Sequence, residues 1–155
     1  MSEIVYDSKI LGALAGGEVM STSGTSAQDS AVASGTTSSI TYGDLCAYAN
    51  GYWAKCADTE AASAGKYGIA QSTSTETASA AGLVKVAYHP SGLLAKFAPT
   101  TPANLAQAVL GDKVNINVSG GVQTVNEDGS GVLTIAAYNA TSGAETVTVV
   151  VPYAI

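Results

Sequence analysis

Charge is scarce in this chain. Only 12% of its 155 residues are charged, and 12 Asp and Glu face 6 Lys and Arg, which gives a net charge of −6 at pH 7. Proteins that bind nucleic acids neutralise phosphates with clustered Lys and Arg. No such stripe occurs along this sequence. We therefore expect no nucleic-acid partner.

Long apolar runs are also missing. A membrane-spanning helix needs about 18 or more consecutive apolar residues, and the chain contains no such run. The short apolar stretch at residues 10–15 follows Glu3 and Asp7 instead of a basic cluster, so we do not interpret it as a signal peptide. We expect no membrane partner.

Sequence motifs for catalysis are absent. The chain has no GxSxG, HExxH, CxxC or phosphate-binding loop. The single histidine, His89, lies in a predicted turn before Pro90 and has no Cys or Ser at a recognisable motif spacing. Glu127 and Asp128 lack the ligand density of a calcium loop. We expect a protein that is not an enzyme and that has no cofactor and no metal site.

Cysteine is rare, and the two cysteines flank one turn. Cys46 and Cys56 lie on either side of Asn50-Gly51, a strong hairpin signal. A three-residue loop would place them opposite each other, whereas a two-residue loop would offset them. A disulfide is geometrically possible, and two reduced thiols acting as small hydrophobic side chains are the alternative. Their spacing matches no metal-binding motif.

Short alternating segments bounded by glycine turns are plentiful. Residues 114–118 alternate apolar and polar side chains, and Val147, Val149 and Val151 share one face of a final strand. Half-buried strands joined by tight turns are typical of small barrels and sandwiches. The pattern predicts an all-β fold.

The order of these signals occurs twice. A Gly-Asp pair begins each series (Gly43-Asp44 and Gly111-Asp112), and an alternating strand, a glycine turn and a second strand follow. A small-residue strand then starts at a glycine, and another glycine precedes a Val-rich strand that ends at a proline. The glycines matched in this way are Gly68 with Gly131 and Gly82 with Gly143. The spacings agree only loosely, and we interpret the pattern as a duplicated β-barrel or sandwich unit.

Three regions follow from this reading. Residues 1–38 form an extended N-terminal arm with an apolar anchor and a Ser/Thr/Ala/Gly tether. Residues 39–98 form the first β-barrel unit, and residues 99–155 form a short helix plus the second β unit. The helix is predicted at residues 102–110, with Leu105, Ala106, Val109 and Leu110 on one face.

The apolar side chains of the arm are suited to docking. A docked arm commonly adds backbone pairing at a sheet edge of another subunit, and a frayed terminus is the alternative. The arm residues concerned are Ile4, Val5, Tyr6, Ile10, Leu11 and Leu14.

The segment from Tyr42-Gly43-Asp44-Leu45 through Gly68-Ile69-Ala70 to residues 82–87 resembles the small β-barrel of tailed-bacteriophage head decoration proteins, which are also called capsid cement or stabilisation proteins. In that family a Ser/Thr/Ala-rich arm usually precedes the barrel. Residues 1–38 match the arm in composition, and residues 39–97 match the barrel. A minimal decoration protein would stop before residues 103–155.

The resemblance implies a structural virion protein, made in the host cytoplasm and located on the outer capsid surface. It would stabilise the expanded head by bridging neighbouring major capsid proteins, its main partners. The six apolar arm residues would then be the capsid contacts. A homo-oligomer, trimer or dimer, is implied as well, although the additional unit puts the trimer in doubt.

Two other functional classes fit parts of the sequence. An adhesive or fibre module on a virion or cell surface, binding host glycan or protein, is favoured by Ser/Thr-rich loops and by tyrosines at positions 48, 52, 67, 88 and 138. A soluble β-barrel enzyme or ligand carrier has the least support.

Overall fold

The structure, a computed structural model, describes residues 3–4, 31–32, 40–57, 65–89, 91–107, 110–127 and 130–153. Within these ranges the chain is almost entirely β, which confirms the predicted fold class. Twelve strands and one short 3₁₀ helix are described: β1 (Glu3–Ile4), β2 (Ala31–Val32), β3 (Leu45–Ala49), β4 (Tyr52–Lys55), β5 (Tyr67–Ala70), β6 (Gly82–Leu83), β7 (Val86–Ala87), β8 (Leu93–Phe97), the helix (Pro102–Gln107), β9 (Lys113–Ser119), β10 (Val122–Asn126), β11 (Leu133–Asn139) and β12 (Thr146–Val151).

The first main sheet has the strand order β4-β3-β5-β7. Its hairpin turns at Asn50 and Gly51, which have φ angles of 53° and 87°. Positive φ at both positions is typical of a type I′ turn, whose twist matches that of the flanking strands. The predicted hairpin is therefore confirmed, with Ala49 paired to Tyr52.

The second sheet has the order β1-β8-β12-β11-β9-β10 and curls back on itself. Just after β8, the carbonyl of Ala98 accepts the N–H of Val125 at 3.0 Å, and the N–H of Thr100 donates to the carbonyl of Val125 at 2.8 Å. These bonds join the chain after β8 to the edge strand β10. The sheet thus forms a curled half-barrel.

The two sheets repeat one strand order, as the sequence signals predicted. In the first sheet the hairpin β3–β4 is followed by β5, which pairs with β3, and then by β7, which pairs with β5. In the second sheet the hairpin β9–β10 is followed by β11, which pairs with β9, and then by β12, which pairs with β11. The two Gly-Asp turns make matching backbone hydrogen bonds. In the first, Gly43 N–H donates to Ala70 O (2.8 Å) and Ala70 N–H donates to Asp44 O (2.9 Å). In the second, Gly111 N–H donates to Ile135 O (2.8 Å) and Ile135 N–H donates to Asp112 O (3.0 Å).

These bonds define which residues correspond. Ala70 matches Ile135, so Gly68 corresponds to Leu133 and not to Gly131, the residue that the sequence pattern paired with it. The strand register is set by backbone pairing, and a shift of two residues leaves the buried face unchanged. For this reason the apolar pattern alone could not detect the shift.

Each series also has a strand that precedes its Gly-Asp turn. β2 pairs with β6 in a separate two-stranded sheet, whereas β8 pairs antiparallel with β12 in the second sheet. β8 belongs to residues 39–98, while its partner β12 belongs to residues 99–155. The two predicted regions therefore share one hydrogen-bonded ladder.

The main hydrophobic core lies between the two sheets and draws on both. Its largest fully buried side chains include Tyr67, Phe97, Leu105, Ile116 and Ile135. The alternating pattern of β12 is confirmed, since its three odd-numbered valines (147, 149 and 151) are all buried. A smaller core covers the other face of the first sheet and consists of Ile40, Cys46, Trp53, Ala70, Val84 and Val86.

Residues 83–88 do not form one continuous strand. The carbonyl of Lys85 accepts the N–H of Gln71 at 2.7 Å, but its N–H donates to the side-chain oxygen of Ser72 at 3.0 Å. A side chain replaces a backbone partner at this point, which separates β6 from β7. The Ser/Thr-rich segment at residues 71–81, which carries no sequence signal for a fixed structure, is hydrogen-bonded to the strand that follows it.

The connecting helix begins at Pro102, as predicted, but is a 3₁₀ helix that ends at Gln107. Leu105 is buried, whereas Leu110 is 62% exposed, so Leu110 does not share a face with Leu105 as predicted. Gly111 belongs to the turn before β9, where its φ is 92°. The hydrogen bond from Gly111 to Ile135 determines the path of the chain here, so the helix does not extend to residue 110.

Candidate functional site

The described parts of the N-terminal arm both attach as added strands. In β1, Glu3 pairs with Lys96 and Ile4 with Ala95, antiparallel to β8. In β2, Ala31 pairs with Leu83, antiparallel to β6. Backbone pairing of this kind is the general mode by which extended segments bind sheet edges.

Of the six predicted contact residues of the arm, Ile4 lies in β1. The remaining five, Val5, Tyr6, Ile10, Leu11 and Leu14, lie outside the described residues. The structure thus assigns an acceptor strand, β8, to the start of the arm, a partner that the sequence did not identify.

The acceptor strand is firmly held. Leu93, Leu94, Ala95 and Phe97 of β8 are all buried, and β8 pairs along its other side with β12 over five residues, from Leu93 to Phe97. A strand backed by the core keeps its edge amides and carbonyls in fixed positions. Such an edge is suited to receiving an extended peptide.

Aromatic rings form a continuous row over the smaller core. The ring centroids of Tyr48 and Trp53 are 5.2 Å apart, those of Trp53 and Tyr88 6.0 Å, and those of Tyr88 and Tyr153 4.3 Å in a stacked arrangement. The Lys66 ammonium lies 5.8 Å from the Tyr48 centroid and 6.0 Å from that of Tyr153. These distances are within the range of cation–π attraction.

The row is partly accessible. Trp53 is buried, while Tyr48, Tyr88, Tyr153 and Lys66 are half-buried. Burial, together with the neighbouring Tyr88 and Tyr48, raises the pKa of Tyr153 above its usual value. A tyrosine hydroxyl is protonated at neutral pH even without this shift, and it can act as a hydrogen-bond donor there.

Asp44 has a structural role. Its carboxylate accepts the backbone N–H of Thr41 at 2.8 Å and the Thr41 hydroxyl at 3.0 Å, and it pairs with the Lys55 ammonium at 3.0 Å. Lys55 also donates to the carbonyl of Gly121 at 2.6 Å. Asp44 thus caps the backbone of its own turn, and the Lys55–Gly121 hydrogen bond joins β4 to the β9–β10 turn.

The turn histidine and the cysteines are structural as well. The Nδ1 atom of His89 accepts the N–H of Ser91 at 3.0 Å, which closes the turn before β8.

Cys46 and Cys56 are both free and buried, one in each hydrophobic core. Cys46 pairs with Lys55 across the two-residue turn, so the cysteines are offset and face opposite sides of the sheet. Burial raises the pKa of the Cys46 thiol far above its usual range, and the Asp44 charge adds to the effect.

A buried carboxylate, not predicted as functional, anchors the start of the helix. The two oxygens of Glu127 accept the N–H of Thr100 at 3.1 Å and that of Thr101 at 2.8 Å. The amides at the helix start are thus bonded by a side chain distant in sequence. Because the contact is long-range, no local signal indicated it.

Within the described ranges, no cluster of His, Cys, Asp or Glu is arranged to hold a metal ion. In the same ranges, no helix is long and apolar enough to cross a membrane.

Comparison with protein-family models, curated proteins and solved structures yields no match to this chain.

Proposed function

We propose that this chain is a structural virion protein that binds the outer surface of a bacteriophage capsid and stabilises the expanded head by bridging neighbouring major capsid proteins. The observation that carries the proposal is the strand addition of the arm: β1 pairs with β8, and β2 pairs with β6. The sequence resemblance to decoration proteins supports it further.

Strand addition is suited to bridging a shell. β1 makes only two residue pairs with β8, so its release from this chain breaks few backbone hydrogen bonds. Each such bond contributes about 1 kcal/mol net, and pairing with a capsid strand would replace those lost. The same strand edge on β8 would become available to a strand from the shell.

Weak contacts by single subunits can stabilise a shell when they are repeated at every equivalent position. A protein that binds only the assembled shell stabilises it by mass action. Weak contacts at one subunit are repeated over all equivalent positions of a symmetric assembly. Modest pairing by each arm is then sufficient to stabilise the whole head.

Co-sedimentation with expanded, empty capsids tests the proposal. We expect saturable binding at a fixed ratio to the major capsid protein, and we expect deletion of residues 2–20 to weaken binding while the β fold, monitored by circular dichroism, is kept. Ile4→Pro removes one backbone N–H in β1 and should also weaken binding, whereas Ser23→Pro in the tether serves as the control. Absence of any saturable binding would refute the proposal.

The aromatic row favours a second candidate, an adhesive module that binds a host glycan or protein. Sugars stack on aromatic faces, and the half-buried rings of Tyr48, Tyr88 and Tyr153 lie beside the Lys66 ammonium. A glycan array tests this role. Binding should be lost in Tyr88→Ala and kept in Tyr42→Ala, because the Tyr42 side chain is 55% exposed and lies outside the row. No binding by the wild-type protein to any glycan or host-cell surface would exclude it.

A further inference from the structure

The strand β1 stands outside the repeated strand order of the fold. β2 and β8 correspond as the strands before the two Gly-Asp turns. β6 pairs with β2 and β7 with β5, just as β12 pairs with both β8 and β11. β1 has no counterpart among the described strands, because none of them pairs with β2 on the side away from β6. The repeated order is therefore complete without β1, which is an addition to one edge of β8.

The side of β8 that faces β1, which we call the acceptor edge, offers one apolar position. Ile4 is paired with Ala95, and Ala95 is paired on its other side with Val149 of β12. Directly opposed residues of antiparallel strands share a face of the sheet, and both Ala95 and Val149 are buried in the main core. Leu93 and Phe97, on the same face of β8, are buried there as well. The position opposite Ala95 therefore lies on the core face, where an apolar side chain is favoured.

The next position of the acceptor edge is charged. Glu3 is paired with Lys96, and Lys96 is paired on its other side with Thr148 of β12. Lys96 is half-buried and is the one charged residue of β8. Opposite charges at directly opposed positions stabilise an antiparallel strand pair, and like charges destabilise it. The acceptor edge therefore favours a carboxylate opposite Lys96 and disfavours a cation there.

We propose that the acceptor edge is a selective docking site for extended peptides in which an acidic residue is followed directly by a β-branched apolar residue, the order that Glu3 and Ile4 have in β1. Such a peptide would take the place of β1, which is held by only two residue pairs. A β-branched side chain suits the strand conformation that the edge requires. The inference rests on the proposed function for its natural occupant, a strand of the major capsid protein, whereas the selectivity follows from β8 itself.

Binding of a labelled synthetic peptide with the sequence of residues 2–7, Ser-Glu-Ile-Val-Tyr-Asp, to the full-length protein tests the proposal. Ile4→Pro removes a backbone N–H from β1 and should free the acceptor edge. Fluorescence anisotropy should show saturable binding to this variant and weaker binding to the wild type, where the tethered β1 competes. Ser23→Pro is the matched control and should bind like the wild type. Absence of saturable binding to Ile4→Pro would overturn the proposal.

Charge exchange tests the selectivity and locates the bound peptide. A peptide with lysine in place of its glutamate should bind Ile4→Pro about fivefold more weakly, because it places two like charges opposite each other. Adding Lys96→Glu to Ile4→Pro should reverse this preference. Adding Lys85→Glu, at an exposed position outside β8, makes the same change in net charge and should leave the preference as it is. Equal binding of the two peptides to Ile4→Pro, or a preference that Lys96→Glu does not reverse, would contradict the proposal.

Peptide binding and capsid binding are measured separately. The peptide assay contains no capsid, so capsid co-sedimentation without peptide binding would refute the selective acceptor edge alone. Peptide binding with the expected charge preference, but without capsid co-sedimentation, would support the selectivity of the acceptor edge and refute the capsid role. The two results together therefore distinguish a failure of this inference from a failure of the proposed function.

Discussion

The Gln123 side chain in β10 bonds both backbone groups of Leu45 in β3. Its Oε1 accepts the Leu45 N–H at 2.7 Å, and its Nε2 donates to the Leu45 carbonyl at 3.0 Å and to the Cys56 carbonyl at 3.0 Å. Gln123 is 4% exposed, so these bonds form away from water. One amide thus joins the edge of the second sheet to the hairpin of the first.

We expect Gln123→Ala to lower the free energy of unfolding by about 2–3 kcal/mol, because it leaves buried backbone groups without partners. Urea denaturation followed by Trp53 fluorescence measures the change. Val122→Ala, at the exposed position next to it, is the control and should have little effect. Equal stabilities of Gln123→Ala and the wild type would show that water replaces the amide.

Corresponding acids in the two repeats should respond differently to substitution. Asp44 is buried and is bonded to Thr41 and Lys55, and removing one partner of a buried ion pair costs about 3 kcal/mol or more. Asp112, its counterpart, is exposed. Asp44→Ala should therefore markedly lower the thermal midpoint, while Asp112→Ala should leave it nearly unchanged. Similar losses in both variants would contradict the structural role assigned to Asp44.

Glu127 should stabilise the start of the 3₁₀ helix. Its carboxylate accepts two backbone amides, so Glu127→Ala should cost about 1–2 kcal/mol, the usual range for a lost cap. Glu127→Gln keeps one acceptor oxygen and should lose less. Chemical denaturation of the wild type, Glu127→Gln and Glu127→Ala measures their order of stability. A Glu127→Gln variant as unstable as Glu127→Ala would contradict the expected order.

The Cys46 thiol should make stability depend on alkaline pH. Burial raises its pKa in the folded state, so the folded protein keeps the thiol proton after the unfolded chain has begun to lose it. The contribution is fully present below the unfolded pKa of about 8.5 and declines above it. Denaturation at several pH values should show a steeper decline above that pH for the wild type than for Cys46→Ala. Identical slopes would show that the folded thiol ionises normally.

Local features were the most predictable from sequence. Asn50-Gly51 forms the expected turn, because the positive φ angles there suit Asn and Gly. This preference resides in two neighbouring residues. The predicted role of the arm in binding a capsid stays a prediction.

Long-range relationships could not be read in the same way. The repeat was detected, but Gly68 was matched with the wrong residue because only hydrogen bonding defines the register. The split between β6 and β7 depends on the Ser72 hydroxyl, which lies in another segment. Glu127 and Gln123 likewise bond residues distant in sequence, and nothing in their local sequence distinguishes them from surface residues.

The all-β character, the two Gly-Asp turns and the alternation of β12 follow from the sequence alone, since φ preference and side-chain periodicity are properties of adjacent residues. The pairing of β8 with β12 and the position of β1 were decided by the tertiary structure. Strand partners are chosen by the burial of whole faces and by backbone hydrogen bonding across the fold, and neither is encoded in any single segment.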